Sequence, residues 1–216
     1  MELLRPRTSA VRTSLKRAAD IFRNDLTGSP AQEYLAGRGV TPDAAAAHRL
    51  GFVAGHAGID PLYSRYVGRL AVPNLNADGV VVQIKFRALD PDAEKKYDQL
   101  SLPQRLFNLQ AVKQSDGSRI ALCEGEFDVI TCTTLGIPAV GIPGADSWEA
   151  HHVRIFSGFD EVVMFAHDDK AGHNLLRKVM GSGLPVKPAK APGSHADLND
   201  ALQEGLGDEI RKAYLG

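Results

Sequence analysis

Apolar residues recur at steps of three and four between residues 12 and 26, where Leu15, Ala18, Ala19, Phe22 and Leu26 share one side; this spacing predicts an amphipathic helix. Gly28-Ser29-Pro30 ends it, and Pro30 suits the first turn of a second helix running through Leu35. Gly37 and Gly39 break that helix. Thr41 followed by Pro42 then reads as the N-cap and first helical position of a third, over residues 44–48. Beyond Gly51 the period changes to two. Residues 70–73 and 79–87 predict strands joined by a polar turn that ends in Asp78-Gly79. In the second of them, Val80, Val82, Ile84 and Phe86 are expected to face a core, with Val81, Gln83, Lys85 and Arg87 on the other face.

From Arg119 onward, short apolar runs alternate with helical patterns. Strands are expected at 120–123, 139–142, 161–166 and 184–187. Helices are expected at 127–135, 148–156, 171–180 and 198–205. Short, nearly continuous apolar strands separated by helices predict a mostly parallel sheet covered on both faces. The polar stretch 113–118 is the expected boundary, which gives an N-terminal α+β unit over residues 1–112 and an α/β unit over residues 118–216.

Composition narrows the function classes. A net charge of -1 exerts no global pull on nucleic acid, so any such surface must come from local segregation of charge. The N-terminal run Arg5, Arg7, Arg12, Lys16, Arg17 and Arg23 is one such segregation, and a solvated basic helix is the alternative reading of it. Cys123 and Cys132 have no flanking histidines at zinc-ligand spacing and read as small core residues of a reducing compartment. No apolar run reaches the roughly 18 residues a membrane span needs, and no secretory segment opens the chain. A cytoplasmic protein is expected, in the host cytoplasm if a phage encodes it.

The chemistry gathers at the strand ends. In open parallel sheets, functional groups lie beyond the carboxyl ends of strands, and three of the expected strands lead into acids. The first leads to Glu124-Gly125-Glu126-Phe127-Asp128, the second to His167-Asp168-Asp169-Lys170-Ala171-Gly172, and the third to Asp197-Leu198-Asn199-Asp200. Any one of these acids could be a helix N-cap favoured by the helix dipole. Carboxylates converging from separate strands would repel one another without a cation, and hard oxygen ligands suit Mg2+ or Mn2+.

These segments resemble the TOPRIM domain. Residues 122–128 are similar to its first signature, an acid after a strand followed by Gly and a further Asp. Residues 165–172 resemble the second signature, Asp-x-Asp-x-Ala-Gly, and residues 197–200 the late acidic motif of its primase members. The upstream half resembles the bacterial-type DNA primase core. The matching segments are Tyr34-Leu35-Ala36-Gly37-Arg38-Gly39, the Gly51-Phe52 segment, Gly68-Arg69-Leu70-Ala71-Val72-Pro73, residues 79–87, Lys96-Tyr97 and Leu106-Phe107-Asn108. The resemblance runs in order from about residue 20 to about residue 202. His167 stands where the family has the first aspartate of its second signature, which leaves three alternatives: Asp168 substitutes by a local shift, His167 is itself a ligand, or metal binding is weakened. Asp98-Gln99 stands where the family usually has Leu-Asn.

The resemblance implies a primase catalytic core that makes short RNA primers on single-stranded DNA from ribonucleoside triphosphates by metal-dependent nucleotidyl transfer. Glu124, Asp169 and Asp168 are the expected catalytic residues. The expected metal site adds His167, with Asp128 and Asp197 as outer acids for Mg2+ or Mn2+. Arg69, Lys85, Arg87 and Lys96 are expected to contact phosphates, with Tyr97 available for stacking. Family members usually carry a zinc ribbon and a helicase-binding domain; neither fits here, so the expected partners are a separate zinc-ribbon protein or the replicative helicase, besides the template strand. A metal-dependent TOPRIM nuclease and a catalytically impaired nucleic-acid-binding module are the alternative readings.

Overall fold

The computed structural model describes residues 9–56, 58–193, 195 and 197–216; Arg5 and Arg7 of the basic run lie outside them. The chain divides into two compact units, the first formed by the described residues up to Gly37 with Thr41–Pro103, the second by Arg38–Val40 with Gln104–Gly216.

In the first unit, helix α1 (Ser9–Asn24) buries Leu15, Ala18, Ala19 and Phe22, the stripe its spacing predicts. Helices α2 (Pro30–Gly37) and α3 (Pro42–Ala47) follow, and the Thr41 hydroxyl accepts from the Ala44 amide at 3.2 Å as an N-cap. An antiparallel sheet orders β1 (Gly51–Phe52), β2 (Leu70–Leu75), β3 (Val81–Arg87) and β4 (Tyr97–Gln99) in sequence. A Cβ on Gly51 would lie 2.4 Å from the Phe22 carbonyl carbon, so only glycine lets β1 approach the backbone of α1 this closely.

Strand β3 corrects the expected core face. Asn74 pairs with Gln83, yet Leu75 pairs with Val81, so Val82 is an extra residue in a bulge. One inserted residue reverses the alternation on its N-terminal side. Val81 joins Ile84 and Phe86 in the core, while Val80 is exposed. Around them Phe22 meets Tyr63 edge-on at 5.3 Å, and Tyr66 stacks on Phe86 at 3.8 Å.

His48, just after α3, is buried, and burial depresses its pKa from 6.5 to about 4. The imidazole is therefore neutral in the fold at a pH where the unfolded chain already binds a proton. Stability present above pH 6.5 is lost as pH falls toward 4, by up to about 3 kcal/mol. Urea unfolding at pH 7 and at pH 4.5 should show this loss, and His48→Gln should show a smaller one.

The second unit is built on a parallel sheet of β5 (Arg119–Cys123), β6 (Ala139–Gly141), β7 (Glu161–Phe165) and β8 (Val186–Ala189), in the order β6-β5-β7-β8. Ile120 to Cys123 and Val162 to Phe165 are buried throughout, as strands covered on both faces require. Helix α4 (Gln110–Gln114) precedes the sheet, and α5 (Glu126–Thr134), α6 (Val153–Phe156), α7 (Lys170–Met180), α8 (Leu198–Gln203) and α9 (Gly207–Leu215) complete the unit. Phe107 exchanges backbone hydrogen bonds with Gly141 at 2.8 and 3.0 Å, and Ala111 packs in the core of this unit. The polar stretch 113–118 thus lies inside it, and the division falls between Pro103 and Gln104.

The expected helix over 148–156 is broken into the 3-10 turn Ala150–His152 followed by α6, with a separate 3-10 turn Ala145–Ser147 before it. A reciprocal cap between Glu149 and His152, whose Nδ1 accepts from the Glu149 amide at 3.1 Å, restarts the chain at Ala150. Among the described residues, no helix is long and apolar enough to cross a membrane.

Candidate metal centre and phosphate contacts

The chain leaves β5 to form β6 on one side and then β7 on the other, so the carboxyl ends of β5 and β7 flank a topological switch point, where open parallel sheets place their ligands. Glu124 is the first residue beyond β5, and His167 is the second beyond β7. Gly125 caps α5, which places Glu126 and Asp128 in its first turn, where the helix dipole favours acids.

His167 bridges two of these acids. Its Nε2 lies 3.0 Å from Asp128 Oδ2, its Nδ1 lies 3.9 Å from Glu124 Oε2, and its backbone amide donates to the same Glu124 oxygen at 3.2 Å. The other Asp128 oxygen accepts from the Leu198 amide at 3.0 Å. The hydrogen bond to Asp128 raises the His167 pKa to about 9 against the opposing effect of burial, so the imidazole carries the proton at neutral pH. Burial raises the Asp128 carboxyl above its ordinary range, against the opposing hydrogen bond and charge of His167. Asp128, His167 and Asp197 each offer a donor atom within 4.8 Å of the others, the one such group of three among the described residues.

Helix caps and surface partners also engage the acids. Asp169 caps α7, its Oδ1 accepting from the Gly172 amide at 2.8 Å, and Asp197 caps α8 by accepting from the Asp200 amide at 2.8 Å. Asp168 is exposed and bonds His173 at 2.8 Å and Lys190 at 3.3 Å, which hold its carboxyl below the ordinary range. Glu124, Asp168 and Asp169 therefore do not share one cluster of donors in this arrangement.

Three features of the centre go beyond the expected residues. The Leu198 amide ties Asp128 to α8. Asn199, fully buried, donates to Thr131 Oγ1 and to the Arg38 carbonyl, both at 3.0 Å, and so joins α5, α8 and the 38–40 segment. A Cβ on Gly172 would lie 2.2 Å from the His167 carbonyl and 2.9 Å from Glu124 Oε2, so this glycine makes the space the Glu124 carboxylate occupies. Two carboxylates and one imidazole within 4.8 Å of one another, with the Glu124 carboxylate 3.9 Å from that imidazole, fit a small divalent cation once the imidazole is deprotonated.

In the first unit, Arg87 is buried, not splayed toward solvent. Its Nε donates to Tyr34 Oη at 2.6 Å and its Nη1 to Tyr97 Oη, with its guanidinium 5.6 and 5.0 Å from the two ring centroids. Arg69 donates to the Lys95 carbonyl at 2.9 Å, Lys85 is half-buried, and Lys96 is exposed.

Residues 121–202 match the Toprim-like family model. The chain is 35% identical to the gene 57 protein of Mycobacterium phage D29 over 53% of its own length and 77% of that protein. It is 27% identical to the DNA primase of Deinococcus radiodurans, aligning over 92% of its own length but only 42% of the primase. The RNA polymerase domain of the Mycobacterium tuberculosis primase superposes on it with a TM-score of 0.77 at 20% identity, covering 97% of this chain and 84% of that one. The chain thus spans less than half of the Deinococcus primase while sharing the fold of a primase catalytic core. It belongs to the family of bacterial- and phage-type DNA primase cores that contain a Toprim-like domain.

Proposed function

We propose that the chain synthesises short RNA primers on single-stranded DNA, joining ribonucleoside triphosphates by metal-dependent nucleotidyl transfer. The observation that carries this reading is the convergence of Glu124, Asp128, His167 and Asp197 at the switch point of the parallel sheet. A divalent cation bound there would stabilise charge on the attacking and leaving oxygens of an in-line phosphoryl displacement. Glu124, poised in the space beside Gly172, and Asp128, held by the Leu198 amide, are the residues fixed most firmly for holding it. His167 would serve as a ligand only in its deprotonated form. Asp169 would extend the site toward the triphosphate, with Asp168 as a further exposed acid beside it.

Lys96, Arg69 and Lys85 would contact template or nucleotide phosphates, and Tyr97, pinned by Arg87, would offer a ring for a base. Lys96→Gln should weaken binding of a fluorescent oligothymidylate and reduce the slope of log affinity against log salt by about 0.7. Arg87→Gln should act differently, lowering thermal stability because it leaves two tyrosine hydroxyls without their donor. Unchanged affinity and slope for Lys96→Gln would count against this surface. Synthesis itself is tested by template-dependent incorporation of labelled ribonucleotides, with the replicative helicase or a zinc-ribbon protein supplied as partner.

A second reading follows from the His167 bridge. An imidazolium between Glu124 and Asp128 already neutralises carboxylates that a cation would otherwise neutralise, which favours a nucleic-acid-binding module with reduced metal affinity. Binding of the strand without ribonucleotide incorporation would support it.

A further inference from the structure

The first unit carries a cluster of charge that the acid centre does not use. A groove there is lined by Leu62, Arg65, Tyr66, Lys95, Asp98 and Gln99. Asp98, in the middle of β4, has a side chain only 17% exposed, whereas those of Arg65 and Lys95 are 61% and 64% exposed. Arg65 Nη2 donates to both Asp98 oxygens at 3.1 and 3.2 Å, Lys95 Nζ donates at 3.0 Å, and the Gln99 amide donates at 2.7 Å. The Arg65 guanidinium lies 4.7 Å from the centroid of the Tyr66 ring, which sets its orientation.

A guanidinium, an ammonium and a backbone amide around one oxyanion are the donors a phosphate group requires. Here the oxyanion is the protein's own. Ion pairs whose cations are this exposed contribute about 0–1 kcal/mol to stability, so the arrangement is poorly explained as a device for holding the fold. Burial works to raise the Asp98 carboxyl, but the bonds from Lys95 and Gln99 and the charge of Arg65 outweigh it and keep the group ionised.

We propose that Arg65 and Lys95 form a phosphate subsite for single-stranded nucleic acid, and that the Asp98 carboxylate occupies the anion position and competes with the strand for it. The inference rests on the nucleic-acid-binding part of the proposed function. Asp98 then sets affinity: the chain grips a strand less tightly than its cations would allow, and releases it more readily.

The test is anisotropy of a fluorescent oligothymidylate across a salt series, with wild type, Asp98→Asn, the Arg65→Gln/Lys95→Gln pair, and the triple variant, each checked for an unaltered melting curve. Asp98→Asn should tighten binding about 10-fold at low salt and steepen the salt slope by about 0.7–1.4, as for one or two further phosphates neutralised. The Arg65→Gln/Lys95→Gln pair should change affinity less than about threefold in the wild-type background and should abolish the gain in the Asp98→Asn background. Wild type that binds while Asp98→Asn binds no better overturns this inference alone. A gain for ATP without one for the oligonucleotide overturns the assignment to a strand. Failure of every variant to bind the oligonucleotide overturns the nucleic-acid reading with it. Should Asp98→Asn not fold, a loss of more than about 10-fold from the Arg65→Gln/Lys95→Gln pair alone would overturn the competition.

Discussion

Gly172→Ala should cost about 3 kcal/mol of stability, lowering the melting temperature by roughly 6–12 °C, and should reduce ribonucleotide incorporation about 100-fold. The added methyl would meet the His167 carbonyl at 2.2 Å and Glu124 Oε2 at 2.9 Å. Both contacts are shorter than carbon and oxygen tolerate, and the nearer one is backbone, which cannot swing aside. Either α7 moves away from the end of β7 or Glu124 leaves its place; displacement by about 1 Å of a group that aligns reacting atoms is enough for the catalytic loss. Gly158→Ala is the matched control in the same unit. A Cβ there meets nothing within 4 Å, and neither stability nor incorporation should change. Calorimetry and an incorporation assay on the two variants read both effects.

Much of the fold was legible because periodicity and caps are local signals. The buried stripe of α1, the Thr41 cap, and the apolar runs that became β5, β6 and β7 fall where spacing places them. Two of the failures involve a tertiary choice. Alternation in β3 reads as one continuous face, since nothing in Val80-Val81-Val82 says which valine will be squeezed out as a bulge; pairing with β2 decides that. Residues 148–156 carry apolar spacing for a helix, but the Glu149–His152 cap interrupts it. Residues 104–112 read as part of the first unit until Phe107 pairs with Gly141 across more than thirty residues of chain. Helix α9 went unread, although Ile210 and Tyr214 on one side are its buried positions.

The candidate centre was legible to the level of residues, not of contacts. Acids after strands mark Glu124, Asp128, Asp169 and Asp197 from sequence alone, but which of them converge depends on the directions in which helix caps hold them. Asp169 and Asp197 each spend an oxygen on a helix N-terminus, a role the same sequence pattern equally allows. Asp128, read as an outer acid, is instead buried beside His167. Arg87 shows the opposite limit: a cation at the end of a strand looks like a phosphate ligand, and only the two tyrosines around it reveal a buried clamp.

Glu124→Gln is the second substitution with a large expected effect. Glutamine keeps the shape and can still accept the His167 amide bond, but it removes one negative charge from the centre where a cation would be held. Losing that charge should cost several kcal/mol of transition-state stabilisation and lower primer yield at least about 100-fold, with little change in melting temperature. Strand binding, which belongs to the cations of the first unit in this account, should be unaffected.

The same pair of proteins separates primer synthesis from strand cleavage and from binding alone. Wild type and Glu124→Gln are incubated with single-stranded DNA, labelled ribonucleoside triphosphates, the helicase or zinc-ribbon partner, and either Mg2+ or Mn2+. Short oligoribonucleotides are expected with wild type and none with Glu124→Gln, while the DNA stays intact. Shortened DNA without labelled RNA, or equal RNA yield from the two proteins, would contradict the proposed synthesis.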